Sequence, residues 1–184
     1  HYIMWIGVIS GLRGVGGVAK GHGGGRPRRS ADGRLAEGVF ACHPAAILMP
    51  DTYRNNSGDA VSLASKRKHF PIHRIVVIHD DMDFSLGVVR AKEGGGHGGH
   101  KGLKSIVARL GSDGFSRVRV GIGRPDRFDA GVHDWVLSPF EVPREELDAA
   151  LKRAAACVET IVTGGIEAAM TVFNQRENGG DDGI

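Results

Sequence analysis

Cysteine is almost missing from this chain. Cys42 and Cys157 are the two among 184 residues, in unrelated contexts with no Cys-x-x-Cys spacing. That argues for reduced thiols and against a disulfide framework, and reduced thiols point to an intracellular compartment. Long apolar runs are missing as well. No segment reads as the roughly 20 residues a membrane-crossing helix needs, and Tyr2 to Ile9 is too short, and wrongly flanked, for a signal peptide. Net charge is small, a formal +3 at pH 7. It permits a nucleic-acid partner without requiring one. No internal repeat is visible.

What remains is a globular composition, 41% hydrophobic, at a length that suits one domain. We expect that domain to occupy residues 1–176, with a disordered polar tail over 177–184. Glycine is concentrated in two places. Gly11 to Gly25 holds eight glycines among fifteen residues with no helical or strand period, and Arg26-Pro-Arg-Arg29 continues it as a basic loop. The stretch 11–34 is therefore atypical for a packed domain.

Tyr2–Ile9 reads as a first strand, and Leu35–Phe40 and Ala46–Met49 as two more around a His43-Pro44 turn. Asp59–Lys68 has helical spacing behind a cap at Asn56-Ser57-Gly58. Ile75–Ile78 is apolar on both parities, as a strand covered on both faces must be, which makes the fold α/β with a central sheet flanked by helices. Leu103–Leu110 is a helix closed by Gly111. In the strand that follows, Val118, Val120 and Ile122 alternate with Arg117, Arg119 and Gly121, so Arg119 faces away from the apolar side. Leu147, Leu151, Ala154, Val158 and Ile161 mark an amphipathic helix over Pro143–Gly164, and a shorter helix spans Ile166–Asn174.

The second glycine cluster carries the chemistry. Gly94-Gly-Gly-His97-Gly-Gly-His100-Lys101-Gly-Leu-Lys104 exposes backbone to a closely approaching ligand and supplies two imidazoles and two ammonium groups. An anionic ligand fits that chemistry. A nucleoside triphosphate does not, because a P-loop needs adjacent Gly-Lys followed by Ser or Thr, and here Lys101 stands between His100 and Gly102. His79, His97 and His100 could be metal ligands, but no cysteine or carboxylate stands at a familiar zinc spacing, and we expect no metal. His79-Asp80 ends the buried strand, where open α/β sheets bind ligands. Asp80 could orient a catalytic histidine, or Asp80, Asp81 and Asp83 could simply cap the following turn.

These motifs, in this order, resemble the bacterial-type peptidyl-tRNA hydrolase family. Leu48-Met-Pro-Asp-Thr-Tyr-Arg-Asn-Asn-Ser-Gly58 is similar to its substrate-loop signature, Val77-Ile-His-Asp-Asp-Met-Asp83 to its second signature, and Gly94–Leu103 to its glycine-histidine signature. Arg117-Val-Arg-Val-Gly-Ile-Gly-Arg-Pro125 and Phe173-Asn174 follow in the family's order. The resemblance implies a single domain with a mixed, twisted sheet, hydrolysis of the peptidyl-tRNA ester without metal or cofactor, and a monomer of the cytoplasm, or of an organelle in a eukaryote. It implies that Asp80 holds the catalytic histidine, that Asn55 and Tyr53 touch the tRNA acceptor end and place the water, and that Lys92 and Arg119 grip a terminal phosphate. Arg90, Lys101 and Lys104 would widen the basic surface, and His100 would join the tRNA contacts.

Two departures accompany the resemblance. The family's N-terminal signature, Asn-Pro-Gly and then Thr-Arg-His-Asn, is degraded here. His22 is the histidine in the matching region, with glycines at 21 and 23 beside it, and the segment between His22 and Asn55 is shorter by most of a helix. Lys101 stands where the family has an asparagine, and an ammonium donates hydrogen bonds but accepts none. The resemblance therefore implies a hydrolase with His22 as base. A second reading is a catalytically inactive RNA-binding relative, like the organellar intron-splicing proteins, that keeps Lys92, Arg119, Lys101 and the basic stretch Arg26–Arg29.

Overall fold

The computed structural model describes residues 3–8, 28–30, 33–50, 57–123 and 144–175. In chain order these form β1 (Ile3–Val8), β2 (Arg28–Ser30), β3 (Gly33–Phe40), β4 (His43–Pro50), α1 (Ser57–Lys68), β5 (Ile75–Asp81), β6 (Val89–Glu93), α2 (Lys101–Leu110), β7 (Ser116–Gly121) and α3 (Arg144–Phe173). The strands make one sheet of seven in the order β2-β3-β4-β1-β5-β7-β6. β1 runs parallel to β4 and β5, and β5 parallel to β7. The β2–β3, β3–β4 and β6–β7 pairs are antiparallel. The sheet is mixed, as expected.

Strand β5 shows why its sequence is apolar on both parities. Val76 and Ile78 join Val118, Val120, Val89 and the buried stripe of α3 (Ala150, Ala154, Val158, Ile161) on one face. Ile75 and Val77 join Ala60 and Val61 of α1 and Leu103 and Ile106 of α2 on the other. Each face thus buries a helix layer, the arrangement that a parallel centre requires. Gly111 closes α2 at φ 71° with its amide bonded to Val107 O. Gly165, at φ 86° and ψ 170°, interrupts α3 where one helix was expected to end and the next to begin.

Other expectations are corrected. The β3–β4 turn is at Ala41-Cys42, not at His43-Pro44. Both turn residues have positive φ, 46° and 63°, the backbone a two-residue hairpin needs to match strand twist. His43 and Pro44 lie in β4 opposite Phe40 and Val39. Proline is tolerated there because the pair next to the turn carries the ladder bonds and the second pair does not. The basic stretch read as loop contains β2, and β6 was not foreseen; both are short strands at the sheet margins. Helix α2 starts two residues earlier than its apolar period suggests. By length and composition α3 could cross a membrane, contrary to the expectation. It is amphipathic, however: Ala150, Ala154, Cys157, Val158 and Ala169 are buried while Lys152, Arg153, Glu159 and Glu167 are exposed. The expected disordered tail over 177–184 lies outside the described residues.

Candidate active site

Three structural ends meet at one edge of the fold: the C-terminal end of β5, the glycine-rich loop 94–100 after β6, and the start of α2. The loop exists because glycine tolerates its backbone. Gly94, Gly95, Gly98 and Gly99 all have positive φ, which residues with a Cβ rarely adopt. At its far end His100 is the N-cap of α2, its Nδ1 accepting the Leu103 amide at 3.2 Å. Sequence reading missed this cap because histidine is not among the usual capping residues.

That cap fixes the other side of the ring. Nε2 of His100 lies 3.4 Å from Oδ1 of Asp80, which is buried at 5% exposure. With Nδ1 accepting, Nε2 must carry the hydrogen, so His100 donates to the carboxylate. Its one lone pair is spent on the helix, and His100 is not placed to act as a base. His79 stands edge-on to His100, ring centroids 5.1 Å apart. Its Nδ1 donates to Asp80 O at 2.8 Å and its buried Nε2 has no partner. Burial, then the neighbouring His100, lowers its pKa from 6.5 to about 4. It is neutral at physiological pH.

The remaining carboxylates divide between the two readings left open by the sequence. Asp81 does cap the turn, accepting the Asp83 amide at 3.0 Å, and its second oxygen takes Nε of Arg119 at 2.7 Å. Arg119 lies on the face opposite Val118 and Val120, as the alternation predicts, with its guanidinium 4.5 Å from the Phe84 ring. Lys92 is exposed on β6, opposite Arg117 and diagonal to Arg119 on the same face. Lys101 and Lys104 are exposed in the first turn of α2. Arg90 does not extend this basic surface: its guanidinium binds the carbonyls of Phe173 and Gln175 at the end of α3.

Arg117 was named by the sequence only as a member of a strand. It is 2% exposed and lies beneath the glycine-rich loop, donating to Gly96 O at 2.7 Å and to Gly95 O. Its guanidinium is 4.9 Å from the Phe115 ring. Burial lowers its pKa, partly offset by Asp113. The signal was available, since Arg117 shares the parity of Arg119.

His22, Tyr53 and Asn55 lie outside the described residues. Helix α1 begins at Ser57, two positions after Asn55. That beginning is held against α2: the Gly58 amide donates to Ser105 Oγ at 3.1 Å, and Asp59 pairs with Arg109 at 2.7 Å. Gly58 is required, because a Cβ there would meet the Ser105 carbonyl. His79, His97 and His100 do not gather into a metal site; among the described residues no three His, Cys, Asp or Glu side chains do. The His97 Nδ1 instead accepts the Gly99 amide at 3.1 Å.

The family model for peptidyl-tRNA hydrolase matches residues 11–180. Peptidyl-tRNA hydrolase of Geobacter sulfurreducens is 37% identical over 95% of this chain and 90% of its own length. That of Rubrobacter xylanophilus is 43% identical over 83% of each chain. The crystal structure of peptidyl-tRNA hydrolase from Acinetobacter baumannii superposes with a TM-score of 0.78 at 30% identity, covering 92% of this chain and 93% of that one. With a carboxylate buried at the strand end, an imidazole fixed against it and a cationic face beside it, the chain belongs to the peptidyl-tRNA hydrolase family and is a hydrolase of the ester that joins a peptide to tRNA.

Proposed function

We propose that Asp80 and His22 form the acid–base pair of this reaction, supported by the burial of Asp80 at the end of β5 and by the donor that His100 aims at one of its oxygens. The carboxylate is held by an imidazole whose own basic nitrogen is occupied by the α2 cap, so the base is a different group. His22 takes a proton from water, and the hydroxide attacks the ester carbonyl. The imidazolium then returns the proton to the departing ribose oxygen, leaving free peptide carboxylate and tRNA. Asp80 stabilises the imidazolium while it exists.

Asn55 and Tyr53, just ahead of the anchored start of α1, contact the tRNA 3′ end, and Asn55 places the water. Lys92 and Arg119 meet phosphate, with Lys101 and His100 lining the same approach. Arg119 reaches phosphate from its pairing with Asp81, which holds the guanidinium extended rather than free. The enzyme acts as a monomer in the cytoplasm, where peptidyl-tRNA arises.

Cleavage of N-acetyl-aminoacyl-tRNA by parent, His22→Ala and Asp80→Asn tests this assignment. Loss of kcat by about two orders of magnitude or more in both variants is expected for an acid–base pair. Unchanged cleavage by His22→Ala refutes His22 as base. A folded parent that binds tRNA without cleaving it restores the RNA-binding reading.

A further inference from the structure

We propose that Arg117 is a positioning residue that turns two amides of the glycine-rich loop outward, where they bind a phosphate oxygen of the tRNA together with Lys92. The inference rests on the reading that Lys92 meets substrate phosphate.

The argument begins with peptide geometry. In a trans peptide the C=O and the N–H of one unit point in opposite directions, and no cis bond occurs among the described residues. Arg117 draws the carbonyls of Gly95 and Gly96 down to its guanidinium. The N–H groups of Gly96 and His97 belong to those same two units, so they face away from the arginine. The neighbouring amides are used: Gly94 donates to Phe115 O and Gly95 to Asp113 Oδ2. Among the described residues those of Gly96 and His97 have no acceptor. Consecutive amides on one side of a bent backbone form an anion-binding concavity.

Its surroundings agree. Gly96 is exposed, and a Cβ added there meets nothing within 4 Å. A Cβ at Gly95 would meet the Lys92 Nζ at 2.8 Å, which places the ammonium beside the same peptide units. Among the described residues the acids beside the loop are Glu93, exposed on β6, Asp113, whose Oδ2 takes the Gly95 amide, and at the far end Asp80, which faces His100. Two neutral donors and one cation suit a phosphate oxygen. Arginine is needed below the loop because a planar fork can hold two carbonyls at once, whereas an ammonium cannot fix the peptide planes in that way. Packing alone gives no reason to bury a guanidinium whose Nε is left without a partner.

The test uses the full chain as parent, Arg117→Met, Arg117→Lys, Lys92→Ala and the double variant Arg117→Met/Lys92→Ala. Steady-state cleavage of N-acetyl-aminoacyl-tRNA is read with the salt dependence of uncharged-tRNA binding and a thermal melt. Arg117→Met should raise KM about ten-fold with kcat within about two-fold, since a hydrogen bond to a charged partner is worth roughly a factor of ten. Its salt slope should equal the parent's, because the amides release no counterion, whereas Lys92→Ala should reduce the slope by about one. The double variant should be little worse than the poorer single variant, as expected when two groups share one phosphate. If Arg117→Met fails to fold, Arg117→Lys, which keeps the charge and part of the hydrogen bonding, carries the same expectation at smaller size. A lower melting temperature with KM unchanged in both Arg117 variants overturns the proposal in favour of a purely structural arginine. Additive KM effects in the double variant overturn the shared phosphate. Lys92→Ala without effect on KM or slope overturns the underlying phosphate reading, and the inference falls with it.

Discussion

Replacing His100 by alanine and by asparagine separates its two contacts, because only one of them can be copied by an amide. Alanine removes the α2 cap, costing about 1 kcal/mol. It also removes one donor from the buried Asp80 carboxylate, and losing a contact as long as 3.4 Å costs about 1 kcal/mol more. The sum, about 2 kcal/mol, corresponds to a fall in Tm of about 4–8 °C for a chain of this size. Asparagine is among the best capping residues but is too short to cap α2 and reach Asp80 together, so His100→Asn should lose about half as much. Both variants should lose kcat alike, on the order of ten-fold or more, because both remove a donor that helps to align the Asp80 carboxylate. Thermal melts and cleavage of N-acetyl-aminoacyl-tRNA measure the two effects. Equal Tm losses for alanine and asparagine would refute the cap, and an unchanged kcat in both would refute the alignment of Asp80.

Two further outcomes follow from burial. His79 has a folded pKa of about 4 against 6.5 unfolded; between those values the unfolded chain binds a proton that the folded chain does not, so stability falls as pH drops from 6.5 towards 4, by at most roughly 3 kcal/mol. Urea midpoints at pH 7 and pH 4.5 should show this in the parent and much less in His79→Leu; equal pH dependence in both would assign the effect to other groups. Gly58→Ala should cost roughly 2–3 kcal/mol, because the added carbon meets the Ser105 carbonyl and Arg109 Cγ at 2.8 Å. Gly96→Ala, with open space around it, should melt like the parent; similar losses for the two would contradict the packing described.

How much of this was legible depends on how local each determinant is. The central strand, the capped helices and the alternation of β7 were readable because burial on two faces, 3.6-residue periodicity and period two are written in consecutive residues. The β3–β4 turn was misplaced because Pro44 is a strong punctuator by composition, while Ala41 and Cys42 take up positive φ only under the demands of strand pairing. The strands β2 and β6 are short, and their pairing partners, not their sequences, make them strands. At the site, Asp80 and the glycine-rich loop were legible as motifs. The partnership of Asp80 with His100 and the position of Arg117 under Gly95 and Gly96 were not, because they join residues twenty or so positions apart through loop geometry. The free cationic surface was overestimated at Arg90, whose partners come from the far end of the chain.

The end of α3 has a bearing on the margin of the sheet. β6 is the last strand of the described sheet, and its outer backbone edge would offer unpaired amides and carbonyls to any passing strand. Asn174 occupies that edge: its Oδ1 accepts the Ala91 amide at 2.9 Å and its Nδ2 donates to the Ala91 carbonyl at 2.8 Å. One side-chain amide thereby imitates the hydrogen-bonding pattern of a neighbouring strand at a single residue. Arg90 fastens the same segment from below through Phe173 O. Residues 173–175 thus work as a doorstop, holding shut a margin that also carries Lys92, so that a chain shortened before Asn174 would gain a sticky sheet edge immediately beside that ammonium.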